Sequence, residues 1–360
     1  MGELLDADGF AAGRGHVAIA RRFPVGVVYG ITPFNFPLNL VAHKVAPAIA
    51  SGNAIVVKPS PRTPLSALLL AEVMDEAGLP KGALNVVVAP NELAARPLAD
   101  ERVKHVSFTG SVPVGWSIKQ QAGRKRVTLE LGGNAGLIVH EDADLGAAVP
   151  AAAAGAFGYA GQSCIGVQRI VVHAPVYERF RDEFLQHVRA HVHAGDPRDR
   201  RTLVGPLIDD AAVARVGAVL DDAVRRGAKV LCGGTFEGNV LGATVLEGVD
   251  PQSDACAKEA FAPIVTLHRY DDFDEALRFV NDSEYGLQAG VYTRDIDRAW
   301  RAFAALEVGG VMVNEVPTFR IDTMPYGGVK SSGFGREGIR YAMEEMTEWR
   351  VMVLKLKDEG

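Results

Sequence analysis

The chain of 360 residues is too long for one ordinary hydrophobic core and long enough for two. Hydrophobic residues make up 48% and charged residues 23%, a globular balance, and a formal net charge of −6 without a basic tract excludes a surface built for a polyphosphate backbone. The start shows no positive segment leading into an apolar one, no apolar run is long enough for a bilayer, and the three cysteines, Cys164, Cys232 and Cys256, form no C-x-x-C pair. The expectation is a cytoplasmic protein with free thiols that binds neither nucleic acid nor membrane.

In chain order, short β-branched runs predict strands over 25–31, 54–57, 84–88, 105–108 and 127–131. Later strands are predicted over 137–139, 169–173, 264–267, 289–292 and 311–314. Helical periodicity falls between most of them, over 38–50, 64–77, 145–159, 176–191, 211–226 and 273–280. Continuous apolar strands alternating with amphipathic helices predict an α/β fold with parallel sheets. A seam is expected near 131–134, where a strand runs into Gly132-Gly133. The last segment, 349–356, alternates in polarity with no helix after it, the pattern of a strand that pairs with a neighbour or another subunit.

Few residues carry chemistry. Cys164 closes Gly161-Gln162-Ser163-Cys164, a glycine turn after an alanine-rich helix. It is either an exposed nucleophile, active only as thiolate, or a buried structural thiol. Glu130 ends a strand between leucines in Thr128-Leu129-Glu130-Leu131-Gly132-Gly133. It is a general base with a burial-raised pKa or a salt-bridged strand end. Asn35 sits in Thr32-Pro33-Phe34-Asn35-Phe36-Pro37, stiff enough to aim an oxyanion donor, although a turn asparagine is the simpler reading. Lys58 follows a strand, as does Phe108-Thr109-Gly110-Ser111. Both suit a ligand at the carboxyl edge of a sheet, or a solvated lysine and an ordinary N-cap. Gly333-Phe334-Gly335-Arg336-Glu337-Gly338 matches G-x-G-x-x-G but follows no early strand, so it reads as a turn into a helix. His187, His191 and His193 lack acidic or cysteine partners and read as a wet helix face; no metal site is expected.

Taken together and in order, these segments resemble the aldehyde dehydrogenase superfamily from about Arg22 onward. Lys58-Pro59-Ser60, Lys258-Glu259-Ala260-Phe261 and Pro325-Tyr326-Gly327-Gly328 complete the series. The resemblance implies a Rossmann-like cofactor domain, an α/β catalytic domain and an oligomerisation arm. It divides the chain into a partial arm (1–24), a dinucleotide-binding domain (25–131), a catalytic domain (132–330), a return helix (331–345) and an oligomerisation strand (346–360). It also implies that Cys164 attacks an aldehyde, that Asn35 and the Cys164 N–H hold the oxyanion, and that Glu130 activates water against the thioester. NAD or NADP would lie against Thr32, Pro33, Phe34, Lys58, Ser60, Gly110, Ser111, Leu131, Glu259 and Phe261. A homodimer or homotetramer is implied.

The sequence also departs from the pattern. The family's chain usually extends upstream of Met1, so part of the cofactor domain is expected to be absent. The segment Pro90-Asn91-Glu92-Leu93 lacks a glycine-rich turn, Ala262 stands where glycine is usual, and Pro61 where NAD-preferring members place glutamate. With Arg62 adjacent, NADP is expected to be tolerated. The run around Arg320 and Asp322 resembles members acting on small polar or anionic aldehydes; Arg320 either meets an anion or braces the loop with Asp322. The rival functions are a CoA-acylating enzyme, which has no need of Glu130 as a base, and a noncatalytic protein that kept the fold.

Overall fold

A computed structural model describes residues 2–7 and 9–356. The chain divides into two units: Met1–Leu129 with Asp322–Pro325 and Gly335–Gly360, and Glu130–Ile321 with Tyr326–Phe334.

In the first unit the valine-rich runs need cover on both faces, and they lie side by side. The order is Arg126–Glu130, Val103–Thr109, Val27–Ile31, Ala54–Lys58, Leu84–Val86. Val27–Ile31 is central and pairs in parallel with both Ala54–Lys58 and Val103–Thr109. Val28, Ile55 and Val57 are fully buried in one core with Val41, Val45 and Ala48 of the helix Asn39–Ala50. The register sets Ile31 beside Lys58 and Phe108. Three strands therefore end level, and the segments beginning at Thr32, Pro59 and Thr109 leave from the same carboxyl edge, where α/β sheets bind ligands.

An antiparallel sheet joins Gly2–Leu5, His16–Pro24 and Thr347–Lys355. Trp349, Val351 and Val353 on its outer strand are exposed. Residues 357–360 of the expected terminal strand lie outside the described residues. A helix spans Ile339–Glu345.

The second unit holds a seven-stranded sheet. Its order is Lys229–Cys232, Thr244–Glu247, Ile264–Tyr270, Val167–His173, Ala135–Val139, Gln288–Tyr292, Gly310–Val313. All neighbours are parallel except the first pair. The helices Leu145–Phe157 and Tyr177–His191 cover one face with Phe157, Phe180 and Phe184. Phe273, Ala276 and Leu277 of the helix Phe273–Asn281 cover the other. The sequence reading missed the strands Lys229–Cys232 and Thr244–Glu247 and the helix Ile296–Ala305. The first is only four residues long and its leading half is exposed, so no apolar alternation marks it. No helix among the described residues is long and apolar enough to cross a membrane.

Candidate active site

The helix Leu145–Phe157 begins at Asp144, whose carboxylate accepts the N–H of Ala147. Its alanines 148, 152, 153 and 156 are buried, so the backbone packs close to the sheet. The helix is stopped by three successive left-handed residues, Tyr159, Ala160 and Gly161, at φ of 60°, 54° and 65°. Gly161 has no alternative: a Cβ there would stand 2.0 Å from the carbonyl oxygen of Ala262. The Gln162 amide accepts the Ile208 N–H at 3.0 Å and donates to the Pro206 carbonyl at 3.4 Å. Gly166 N–H returns to the Ser163 carbonyl at 3.0 Å. Cys164 sits inside this tied turn, just before the strand Val167–His173.

The thiol is enclosed. Cys164 Sγ lies 3.4 Å from the hydroxyl of Tyr326, itself 5% exposed. Burial pushes the thiol's pKa up to about 12, the carboxylates of Glu259 and Glu130 push the same way, and the Tyr326 hydroxyl and Arg320 oppose them. Burial also holds the Tyr326 phenol protonated, its pKa well above the usual value, so it keeps a proton to donate to a thiolate. The Arg320 guanidinium lies 4.1 Å over the Tyr326 ring. In the first unit the Asp322 carboxylate lies 3.6 Å from His43.

Glu130 is 3% exposed, and Leu131 beside it donates its N–H to the Ser332 carbonyl at 2.9 Å. Glu259 accepts the Gly133 N–H at 2.9 Å, and burial raises its carboxyl pKa to about 7. Both glycines after Leu131 are closely approached, Gly132 by a side chain and Gly133 by backbone. A Cβ on Gly132 would stand 2.6 Å from a Glu259 oxygen, and one on Gly133 2.1 Å from the Cys164 carbonyl oxygen. Phe261 is held at a φ of 45°, unusual for an aromatic residue. The second unit therefore brings together Cys164, Glu130, Glu259, Tyr326 and Arg320.

In the first unit the candidate cofactor residues share the carboxyl edge of the sheet. Thr32, Pro33, Phe34 and the buried Asn35 follow Val27–Ile31, and the Phe34 carbonyl accepts from the Thr63 hydroxyl at 3.4 Å. Lys58 is buried and donates to the Asn91 side chain at 3.0 Å; burial lowers its pKa, while Glu92 raises it. Ser60 shapes the next turn by accepting the Arg62 N–H. A Cβ on Gly110 would meet the Phe108 ring at 2.6 Å. Ser111 stands at the start of the helix Val112–Gln121, and its hydroxyl does not cap that helix. The Thr32 hydroxyl oxygen is buried without a hydrogen-bond partner among the described residues. A buried cation, an orphaned hydroxyl and an uncapped helix start on one sheet edge are groups that fit a dinucleotide's ribose and pyrophosphate.

The sequence profile described as "Aldehyde dehydrogenase family" matches residues 2–352. The chain belongs to the aldehyde dehydrogenase family. It is 45% identical over 356 residues to the 3-sulfolactaldehyde dehydrogenase of Priestia aryabhattai, covering 99% of this chain and 74% of the relative. It is 42% identical to aldehyde dehydrogenase 21 from Physcomitrella patens, solved in complex with the reaction product succinate, at a TM-score of 0.97 over 100% of this chain and 75% of that one. It is 40% identical to the glyceraldehyde-3-phosphate dehydrogenase of Methanocaldococcus jannaschii complexed with NADP, at a TM-score of 0.93 over 99% of this chain and 77% of that one.

Two groups in this aldehyde dehydrogenase escaped the sequence reading. Lys44 is fully buried on the helix Asn39–Ala50 and donates to Ser107 at 3.0 Å, Thr109 at 2.8 Å and Glu337 at 2.9 Å. Glu337 lies within the discounted G-x-G-x-x-G stretch; the available signal was a lysine inside an otherwise apolar helical stripe. Arg169, also buried, donates to the carbonyls of Asn134, Phe279 and Val280 and fixes the segment after Gly133. The rings of His187 and His191 lie 4.6 Å apart on the helix Tyr177–His191. His140, Glu141 and His173 form the one three-ligand cluster among the described residues. Its imidazoles are stacked at 4.3 Å with planes 25° apart, and rings so nearly parallel do not direct two lone pairs at one ion.

Proposed function

We propose that this aldehyde dehydrogenase oxidises a small polar aldehyde to a carboxylate through a thioester on Cys164. The observation that carries the reading is the Cys164 thiol, 3.4 Å from a protonated hydroxyl and in the electrostatic reach of Glu130. Cys164 gives up its proton and its sulfur attacks the carbonyl carbon. The Asn35 amide and the Cys164 N–H are the donors assigned to the charge that develops on oxygen, and a preorganised donor costs no reorganisation when that charge forms. Lys58, Ser60, Gly110, Ser111 and Thr32 with its two successors are the first unit's residues that would hold NAD or NADP, and Leu131, Glu259 and Phe261 are those of the second. When bound, this group would supply the acceptor for the hydride that the sulfur-bonded carbon must lose for the thioester to form. Glu130 then takes a proton from water, the hydroxide adds to the acyl carbon, and the C–S bond breaks to release the carboxylate and restore the thiolate.

The relatives support the substrate class: one is named for 3-sulfolactaldehyde and another was solved with succinate. A CoA-acylating enzyme is not favoured, because a buried glutamate beside the thiol has no use where a second thiol resolves the thioester. The exposed apolar side chains of Thr347–Lys355 support a homodimer or homotetramer, and the free cysteines support a cytoplasmic location. The test is nicotinamide absorbance with a panel of aldehydes, with and without CoA. Reduction that needs CoA, or no reduction with any aldehyde, would overturn the reading.

A further inference from the structure

The segment that carries Glu259 has little regular structure of its own. It leaves the one-turn helix Asp254–Ala257 and passes the left-handed Phe261 before the strand Ile264–Tyr270 begins. One side chain grips it. Gln168, on the strand that follows Cys164 and 5% exposed, donates from its amide nitrogen to the carbonyls of Lys258 and, at 3.3 Å, Ala255. Its amide oxygen accepts the Ala260 N–H at 2.9 Å. Only one orientation of the amide sets nitrogen against two carbonyls and oxygen against an N–H. The backbone on both sides of Glu259 is thus held by a single amide, as a strand neighbour would hold it. Asn134, next to Gly133, adds a second amide, which donates to the Cys256 carbonyl at 2.7 Å.

These ties close a ring around the thiol. The Gly133 backbone abuts the Cys164 carbonyl and donates its N–H to Glu259, and Gln168 returns from Glu259's neighbours to the strand behind Cys164. At the other end Gly161 presses on the Ala262 carbonyl. Residues 161–168, with Cys164 among them, and 258–262, with Glu259 and Phe261 among them, are therefore fixed against each other at both ends. Ile170 and Val172, at the two-residue spacing from Gln168, are fully buried in apolar core. An apolar side chain would pack there at less cost than an amide, which must be desolvated and then given every partner. We propose that Gln168 is a positioning residue for this reaction: its amide sets the Glu259 carboxylate, and through it NAD or NADP, in fixed relation to the Cys164 sulfur. This rests on the reading of Glu259 as a cofactor residue. Gln168 itself touches neither substrate nor cofactor. Its value lies in presetting the geometry, since displacement of reacting groups by an ångström costs on the order of 10²-fold in rate.

The test need not depend on turnover. Gln168→Met keeps the side-chain length and removes all three hydrogen bonds. It should weaken NADPH binding, read by fluorescence, about 10-fold, as for the loss of one or two hydrogen bonds. Iodoacetamide labelling of Cys164 in the cofactor-free protein should stay at the parent rate. Deuterium exchange without cofactor should rise in peptides over 254–262 and not over 167–173. Glu259→Gln alone should also weaken NADPH binding, and the double variant should bind no more weakly than the weaker single, because both changes act through one carboxylate. If Gln168→Met folds poorly, the parent chain answers: without cofactor, 254–262 should already be as protected from exchange as the strand 167–173. Parent affinity for NADPH in Gln168→Met, additive losses in the double variant, or a segment protected only once NADPH is added would overturn the proposal. A parent chain that binds NADPH yet oxidises no aldehyde sinks the dehydrogenase reading and leaves the positioning role. One that binds neither NADPH nor NADH removes the reading of Glu259, and the proposal with it.

Discussion

The carbonyl oxygen of Cys164 stands 2.1 Å from where a side chain on Gly133 would begin. The two backbones meet with no room for a methyl group, so the thiol's position is set partly by an absence of atoms on a neighbouring loop. Gly133→Ala must push the Cys164 turn away from Glu130 and Tyr326. Displacement of a reacting group by an ångström costs on the order of 10²-fold in rate, and that loss is expected in kcat/KM with the far-UV circular dichroism retained. Undiminished kcat/KM would show that the turn yields without cost.

Removal of the sulfur separates chemistry from binding. Cys164→Ala should abolish aldehyde oxidation while NADP still quenches protein fluorescence, because the residues assigned to the dinucleotide lie elsewhere. Alkylation of Cys256 should be slow by comparison, since that residue is buried where Cys164 is only partly so. Residual oxidation near the parent rate in Cys164→Ala would remove the thioester from the mechanism.

Glu130→Gln keeps size and hydrogen-bonding capacity and loses the proton acceptor. A burst of reduced cofactor in the first turnover should be followed by a steady rate lowered by ~10²–10⁴-fold. Stopped-flow absorbance distinguishes the outcomes. Loss of the burst itself would assign Glu130 to activation of Cys164, because deacylation cannot affect the first hydride transfer.

The enclosed thiol predicts a pH profile. A thiol whose pKa is raised from about 9 to about 12 is neutral through the physiological range. The reactive fraction, and with it the iodoacetamide labelling rate without cofactor, should climb about tenfold per pH unit from pH 7 to 10. Glu259 ionises near pH 7 and opposes the thiolate, which flattens the lower part of the rise. The stability sign is the opposite: the folded state holds this proton more tightly, so the contribution is full below pH 9 and is lost above it. A labelling plateau below pH 9 would contradict the burial of the sulfur.

Lys44 and Glu337 are joined at 2.9 Å with both side chains buried. Lys44→Met leaves the Glu337 carboxylate without its cation, which should lower unfolding free energy by about 3–5 kcal/mol in urea titration. The double variant Lys44→Met, Glu337→Leu should recover much of it. Equal loss in both would mean that packing around the lysine stem, rather than charge, is what matters.

Fold class was legible because valine and isoleucine runs covered on both faces leave a continuous apolar signature, as in Val27–Ile31 and Ala135–Val139. Exposed or very short elements such as Lys229–Cys232 leave none. The candidate residues Cys164 and Glu130 stood out beside glycines that mark close backbone contact, whereas Glu259 came only with the family resemblance. Lys44 did not stand out, since a buried cation announces itself only when its distant partner is known. Tyr326 was read as one letter of a motif; its hydroxyl gained meaning from the sulfur 162 residues away in the chain.

The first unit is discontinuous: Lys44 waits for a glutamate 293 residues later, and His16–Pro24 waits for Thr347–Lys355. During synthesis the second unit's main span, 130–321, leaves the ribosome before the first unit has all its parts. Domains fold as units when their residues are available, so the C-terminal half should acquire native protection first although it is translated second. The earliest-made strands, 27–31 and 54–58, then spend most of the chain's synthesis as an incomplete sheet. That nascent interval is when this protein would depend most on chaperones.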